Sequence, residues 1–147
     1  MLIGSVMEIE RIFADTNLFL RYLTNDIPEQ ASAFEELLHA AGQRKFKLVA
    51  NELVMAEIVW TLESYYRLTK DVIQEKILAI LNTPGLAVSN EEIVLQAIIW
   101  YVEKNVDFID AYNAAWMIEQ GIQTACTFDR KHFNQFDEII VKVPGYQ

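Results

Sequence analysis

Four short stretches of the chain each place a carboxylate on an apolar element: Asp15 in "RIFADTN", Glu57 in "MAEIVW", Asp110 in "VDFIDAYNAAW" and Asp129 in "TACTFDRKHF". Asp15 follows Ile12, Phe13 and Ala14, and Glu57 lies among Met55, Ala56, Ile58 and Val59. Carboxylates in such surroundings are costly to ionise without a partner. Basic partners are scarce, with 12 Lys and Arg against 21 Asp and Glu. A divalent cation would relieve the repulsion. An all-oxygen donor set favours Mg2+ or Mn2+, whereas zinc sites normally include His or Cys.

Each acid also has a second reading. Asp15 ahead of Thr16 and Asn17 suits an Asx turn or a helix N-cap. Asp107 and Asp110 have the spacing of a capping box, and both favour the positive end of a helix dipole. Glu57 suits a solvated helix flank, and Asp129 before Arg130 and Lys131 suits a turn acid with a surface ion pair. Convergence is what favours a site, and convergence depends on the elements that carry the acids.

Those elements alternate. Residues 11 to 15 form a short strand ending on Asp15, and "TNLFLRYLT" turns helical. Pro28 opens a second helix through "EQASAFEELLHAA", with Gly42 placed to end it. "KFKLVA" alternates as a strand, and "NELVMAEIVWTLESYYRL" repeats its apolar residues every three or four positions. "KDVIQEKILAIL" is a further amphipathic helix stopped by "NTPG". "LAVS" is a strand, and Asn90 can cap the helix in "EEIVLQAIIWYVEK". The helix carrying Asp107 and Asp110 stops at Gly121, "IQTACTF" is the next strand and "EIIVKV" the last. Strands separated by helices predict a three-layer α/β/α sandwich with a central, mainly parallel sheet of four to five strands. In such sheets ligands bind at the carboxyl ends of the strands, the end at which all four acids fall. Ala111, Ala114 and Ala115 would let their helix approach the sheet closely enough for Asp110 to share a cation with Asp15.

Composition limits the alternatives. A chain of 147 residues with 52% hydrophobic residues, 5 Gly and 3 Pro reads as one domain, with no linker or internal repeat. The longest apolar runs are too short for a bilayer, and "MLIGSVMEIE" lacks the features of a signal peptide, so an intracellular, cytoplasmic protein is expected. Cys126, the single cysteine, excludes an internal disulfide and reads as a buried strand thiol. A net charge of −9 argues against a nucleic-acid partner. Acids that converge on cations remove that objection locally, because the metal becomes the dominant charge. No Gly-rich phosphate loop is present, which disfavours nucleotide-binding α/β enzymes.

The ordered blocks "FADTNLFLRYL", "MAEIVW", "VDFIDAYNAAWMIEQG" and "TACTFDRKHF" resemble a PIN-domain nuclease, in particular the VapC type of toxin in toxin-antitoxin pairs, from about residue 11 to 143. The resemblance implies that Asp15, Glu57, Asp110 and Asp129 form the acidic site, with Asn17 and Thr127 as polar supports. It implies an RNA substrate cut to a 5′-phosphate and a 3′-hydroxyl, a homodimer, and a cognate antitoxin covering the site. "IVWTLESYYRL" and "KILAIL" are candidate contact surfaces, with ordinary core as their other reading. Residues 1 to 10 read as a flexible or extra N-terminal segment.

Granted that site, Asp15 and Asp110 are the direct ligands of Mg2+ or Mn2+. Glu57 and Asp129 serve a second ion or act through water. Asp107 matches a family acid but is expected to cap the helix, fixing Asp110 one turn later. Arg21, Arg130 and Lys131 are candidate phosphate contacts. His39 and His132 fall outside the acidic positions and are not expected to be the general base, although His132 is placed to approach a phosphate. Two other classes compete: a receiver-like Mg2+-binding signalling domain, which would want paired acids at the first strand, and a catalytically silent PIN-like binding module, expected to have lost one of the four acids.

Overall fold

The computed structural model describes residues 9–145, so most of the expected N-terminal extra segment lies outside the described residues. Elements follow in the order β1 (Arg11–Phe13), α1 (Thr16–Thr24), α2 (Pro28–Gly42), β2 (Lys47–Ala50), α3 (Glu52–Ser64), α4 (Lys70–Leu81), β3 (Leu86–Val88), α5 (Glu91–Glu103), α6 (Phe108–Glu119), β4 (Thr124–Cys126), a 3-10 turn (Arg130–His132) and β5 (Ile140–Lys142). Every strand and helix read from the sequence is present. No helix among the described residues is long and apolar enough to cross a membrane.

All strand pairs are parallel, as the alternation requires. β2 is central to a three-stranded ladder with β1 and β3, in the register Ile12 to Leu48 and Val49 to Ala87. β4 pairs only with β5, Ala125 opposite Val141. The expected single sheet is therefore an α/β sandwich whose five strands form ladders of three and two. Strands of three or four residues make few ladder bonds, and side-chain packing bridges the gap: Ala14, Leu48, Val88, Ala125 and Ile139 belong to one buried core. Pairing also runs beyond the assigned strands at their carboxyl ends. The Ala14 amide donates to Val49 (2.8 Å), the Ser89 amide to Ala50 (3.0 Å) and the Thr127 amide to Lys142 (2.9 Å). These bonds fix the backbone next to Asp15 and Asp129.

Local sequence sets the helix ends. Pro28 occupies the first turn of α2. The Asn51 side chain accepts from the Val54 amide (3.0 Å) and starts α3. Gly121, at φ 72°, takes the left-handed position after α6, where Ile122 N–H reaches the Met117 carbonyl (2.8 Å) and Gly121 N–H the Ile118 carbonyl (3.0 Å). This pair of bonds is a Schellman stop. Asn90 sits at the N-cap of α5 but makes no capping bond with its side chain.

Helix α3 buries Val54, Met55, Ile58, Val59 and Leu62, which leaves Leu53, Trp60 and Tyr65 exposed. In "KILAIL", by contrast, Ile77 and Ile80 are buried in the core, while Leu78 and Leu81 are half-buried. The alanines of α6 are buried as expected, but α6 packs chiefly on α5 and α3, so their small side chains bring helix to helix more than helix to sheet. Cys126 is exposed, contrary to the buried thiol expected, because the two-residue period of β4 turns Ala125 inward instead.

Candidate active site

Asp15 occupies the N-cap position of α1, and its carbonyl accepts from Leu18 N–H (3.1 Å). Its carboxylate makes no capping bond and is exposed, so the backbone serves the helix while the side chain stays free. The next residue, Thr16, is the buried polar side chain of the core. Its hydroxyl donates to Glu57 Oε1 on α3, across 41 positions of sequence. Because Thr16 adjoins Asp15, this bond draws Glu57 to the carboxyl end of β1. Glu57 is itself exposed between buried Met55 and Ile58, so its backbone is held rigidly and its carboxylate faces outward.

A second pair forms around His132. Its Nδ1 lies 2.9 Å from Asp110 Oδ2 and 3.0 Å from Oδ1, and its Nε2 lies 3.5 Å from Asp129 Oδ2. The hydrogen bond and charge of Asp110, with smaller contributions from Asp129 and Asp107, hold the imidazole above its usual range. Asp129 is fixed further by accepting from Lys131 N–H (3.0 Å), and its own amide donates to Thr127 Oγ1 (3.1 Å). Thr127 thus contacts Asp129 as a polar support would. His132 was set aside on sequence grounds, but its position three residues after Asp129, across a single 3-10 turn, folds its ring back over that acid.

Asp107 departs from its expected role. It stands at the N-cap of α6, where its carbonyl accepts from Ala111 N–H (3.0 Å), but its side chain makes no capping bond. Partial desolvation and the carboxylates of Asp110 and Glu63 hold its carboxyl above the usual range, opposed by Lys70. The Phe108 amide at the start of α6 opposes that rise more than Lys70 does, without outweighing burial and the two carboxylates.

Asn17 is exposed and makes no side-chain hydrogen bond among the described residues; one residue along a helix turns the side chain about 100° from Thr16, which makes the tie to Glu57 instead. Arg21 Nη1 pairs with Asp26 (3.0 Å), near the far end of α1 from Asp15. Arg130 and Lys131 are exposed beside Asp129, and neither forms an ion pair among the described residues. Phe128, just ahead of Asp129, is 80% exposed. Thr16 was also missed as a site residue; its position directly after a strand-end acid was the available signal.

The four acids therefore fall into two groups: Glu57 tied to Thr16, the neighbour of Asp15 in sequence, and Asp110 with Asp129 about the His132 ring. Among the described residues, no three His, Cys, Asp or Glu side chains are gathered tightly enough to hold an ion as placed, and no lysine or arginine pairs with any of the four. The unneutralised oxygen donors suit a hard divalent cation. In this arrangement the His132 ring lies beside Asp110 and Asp129.

Comparison with known proteins places the chain in a family. The chain is 26% identical over 117 residues to a VapC ribonuclease from Aquifex aeolicus (strain VF5), a match spanning 80% of this chain and 86% of that protein. The PIN domain model matches residues 12–139, from β1 to the edge of β5 and across all four acids. The chain belongs to the PIN domain family.

Proposed function

We propose that this PIN domain is a metal-dependent endoribonuclease of the VapC type, the toxin of a toxin-antitoxin pair. The observation that carries the proposal is that Thr16, adjoining Asp15, binds Glu57 while His132 joins Asp110 to Asp129, with no lysine or arginine paired to any of the four acids among the described residues. Similarity to a VapC ribonuclease over most of both chains supports the same reading. Membership of the PIN family removes the receiver-like alternative.

Asp15 and Asp110 would hold Mg2+ or Mn2+, with Glu57 and Asp129 completing the shell or orienting its waters. The bound ion supplies Lewis-acid activation of water and stabilises charge at the phosphate. The chain's own residues do the positioning. Thr16 fixes one Glu57 oxygen and leaves the other free, and Thr127 with the Lys131 amide fixes Asp129. Arg130 and Lys131 are placed to bind the phosphate backbone beside the acids, offsetting the repulsion of a chain of net charge −9. The reading takes the cytoplasm as the site of action on RNA.

Leu53, Glu57 and Trp60 lie at helical spacing on the outward side of α3, so a strongly apolar face borders the acids. That face supports a protein partner, an antitoxin or a second copy, seated next to the site. The deciding experiment incubates the purified protein with structured RNAs and matching DNA in Mn2+, in Mg2+ and with chelator. Cleavage of RNA that chelator abolishes is expected. Chelator-resistant cleavage would overturn the metal dependence, and no cleavage in any condition would leave the chain a silent binding module.

A further inference from the structure

Lys70 opens α4 with its side chain turned inward. Its Nζ donates to the Val106 carbonyl (2.7 Å), reaches the Tyr101 carbonyl (3.4 Å) and lies 4.2 Å from the centroid of the Tyr101 ring. Both carbonyls belong to the passage from α5 to α6. Tyr101 is in the last turn of α5, where helix carbonyls lack partners and attract cations. Val106 immediately precedes Asp107. On the other side of the passage Lys104 donates to the Gln135 carbonyl (3.0 Å), and between the two lysines Asn105 takes a left-handed backbone at φ 51°. The segment that launches α6 is thus held from two sides.

The surroundings of Lys70 are unusually charged for a half-buried site. Burial lowers its pKa, and Glu63 and Asp107 act against that shift. The Tyr101 hydroxyl is buried, and burial first, then Glu63 and Asp107, push its pKa up. In a chain with 12 basic residues against 21 acidic ones, a lysine directed at backbone carbonyls is withheld from the surface.

We propose that Lys70 is a positioning residue: by clasping the Val106 carbonyl and facing Asp107, it sets the start of α6 so that Asp110, one turn on, is presented to a divalent cation while Asp107 is kept from joining its ligands. This rests on the metal-dependent reading of the site. A displacement of about 1 Å at a catalytic group costs on the order of 100-fold, so a modest shift of the helix start is enough to matter.

The sign of the effect separates this role from its alternatives. A lysine acting only as a positive charge near the acids would repel the ion, so its removal would tighten Mn2+ binding. A merely structural lysine would lower the melting temperature and leave the Mn2+ affinity of the folded protein unchanged. Positioning makes affinity fall. Calorimetric titration of the full chain with Mn2+ should show Lys70→Met, which keeps an apolar stem against Tyr101, binding about 10-fold or more weakly, as outer-shell losses do. Lys70→Arg should recover most of that loss. Lys70→Gln, too short to reach Val106 and tolerant of a half-buried position, should repeat the loss if the Met variant does not fold. At saturating Mn2+ the RNA cleavage kcat should fall while KM for RNA holds. A folded Lys70→Met or Lys70→Gln that binds Mn2+ as the parent does, or more tightly, overturns the proposal alone. A parent that binds no Mn2+ overturns the metal reading and this proposal with it.

Discussion

Replacing Thr16 with valine should separate stability from activity. Valine keeps the β-branched shape in a buried position and removes only the hydroxyl that donates to Glu57. A hydrogen bond to a charged group contributes about 1.5–3 kcal/mol net, but Glu57 is exposed and its freed oxygen rehydrates, so the stability loss should be about 1 kcal/mol. For a chain of this size that lowers Tm by about 2–4 °C. The activity loss should be larger, about 10- to 100-fold in kcat/KM, because Glu57 is untethered from the end of β1 where Asp15 stands. Urea unfolding and initial-rate RNA cleavage in Mn2+ measure the two quantities on one preparation. Thr16→Ser restores the donor and should recover most of the activity. Parental activity in Thr16→Val, or an equal loss in the serine variant, would refute the role given to this bond.

Asp110→Asn should weaken Mn2+ binding sharply in calorimetry and Asp107→Asn only slightly; equal losses would show that the two roles are wrongly divided. Because the Asp107 carboxyl is raised, its charge opposes folding above that pKa and not below the unfolded value near 3.8, so Asp107→Asn should unfold at higher urea than the parent at pH 7, with the gain vanishing toward pH 3. The His132 imidazole is raised, so its contact with Asp110 supports the fold fully below about pH 6.5, its unfolded value, and the support is lost as pH rises through the raised value. Urea midpoints of the parent and His132→Gln should therefore differ at pH 5.5 and converge at pH 9. Gly85→Ala should cost more than about 2 kcal/mol in urea unfolding, because a Cβ there would lie 2.3 Å from the Ala41 carbonyl at φ 81°.

Much of the fold was legible because the signals were local. Pro28 and Gly121 mark helix ends with residues whose backbone chemistry suits those positions, and the apolar spacing of α3 names its buried face, whereas Asn90 makes no side-chain capping bond and the cap at Asn51 went unread. The strand ends located Asp15 after β1 and Asp129 after β4 for the same reason, since in a parallel ladder ligands gather at the carboxyl ends of the strands. What stayed hidden depended on contacts between distant segments. Thr16 reaches Glu57 across 41 positions and His132 reaches Asp110 across 22, and neither spacing carries a periodic signal. Asp107 looked like a cap because cap propensity is local, whereas its carboxylate answers first to burial and Asp110 and then to Glu63, brought in by α3. Cys126 was misplaced because a three-residue strand gives too little alternation to tell which face is buried.

The central claim is that these acids hold a divalent cation at the carboxyl ends of the strands. Anomalous scattering from a crystal of the full chain soaked in Mn2+ would locate the ion directly. A peak shared by the Asp15 and Asp110 carboxylates, with His132 turned away from Asp110, is the predicted result. No peak there, or a peak held by Asp107 and Glu63 instead, would contradict it.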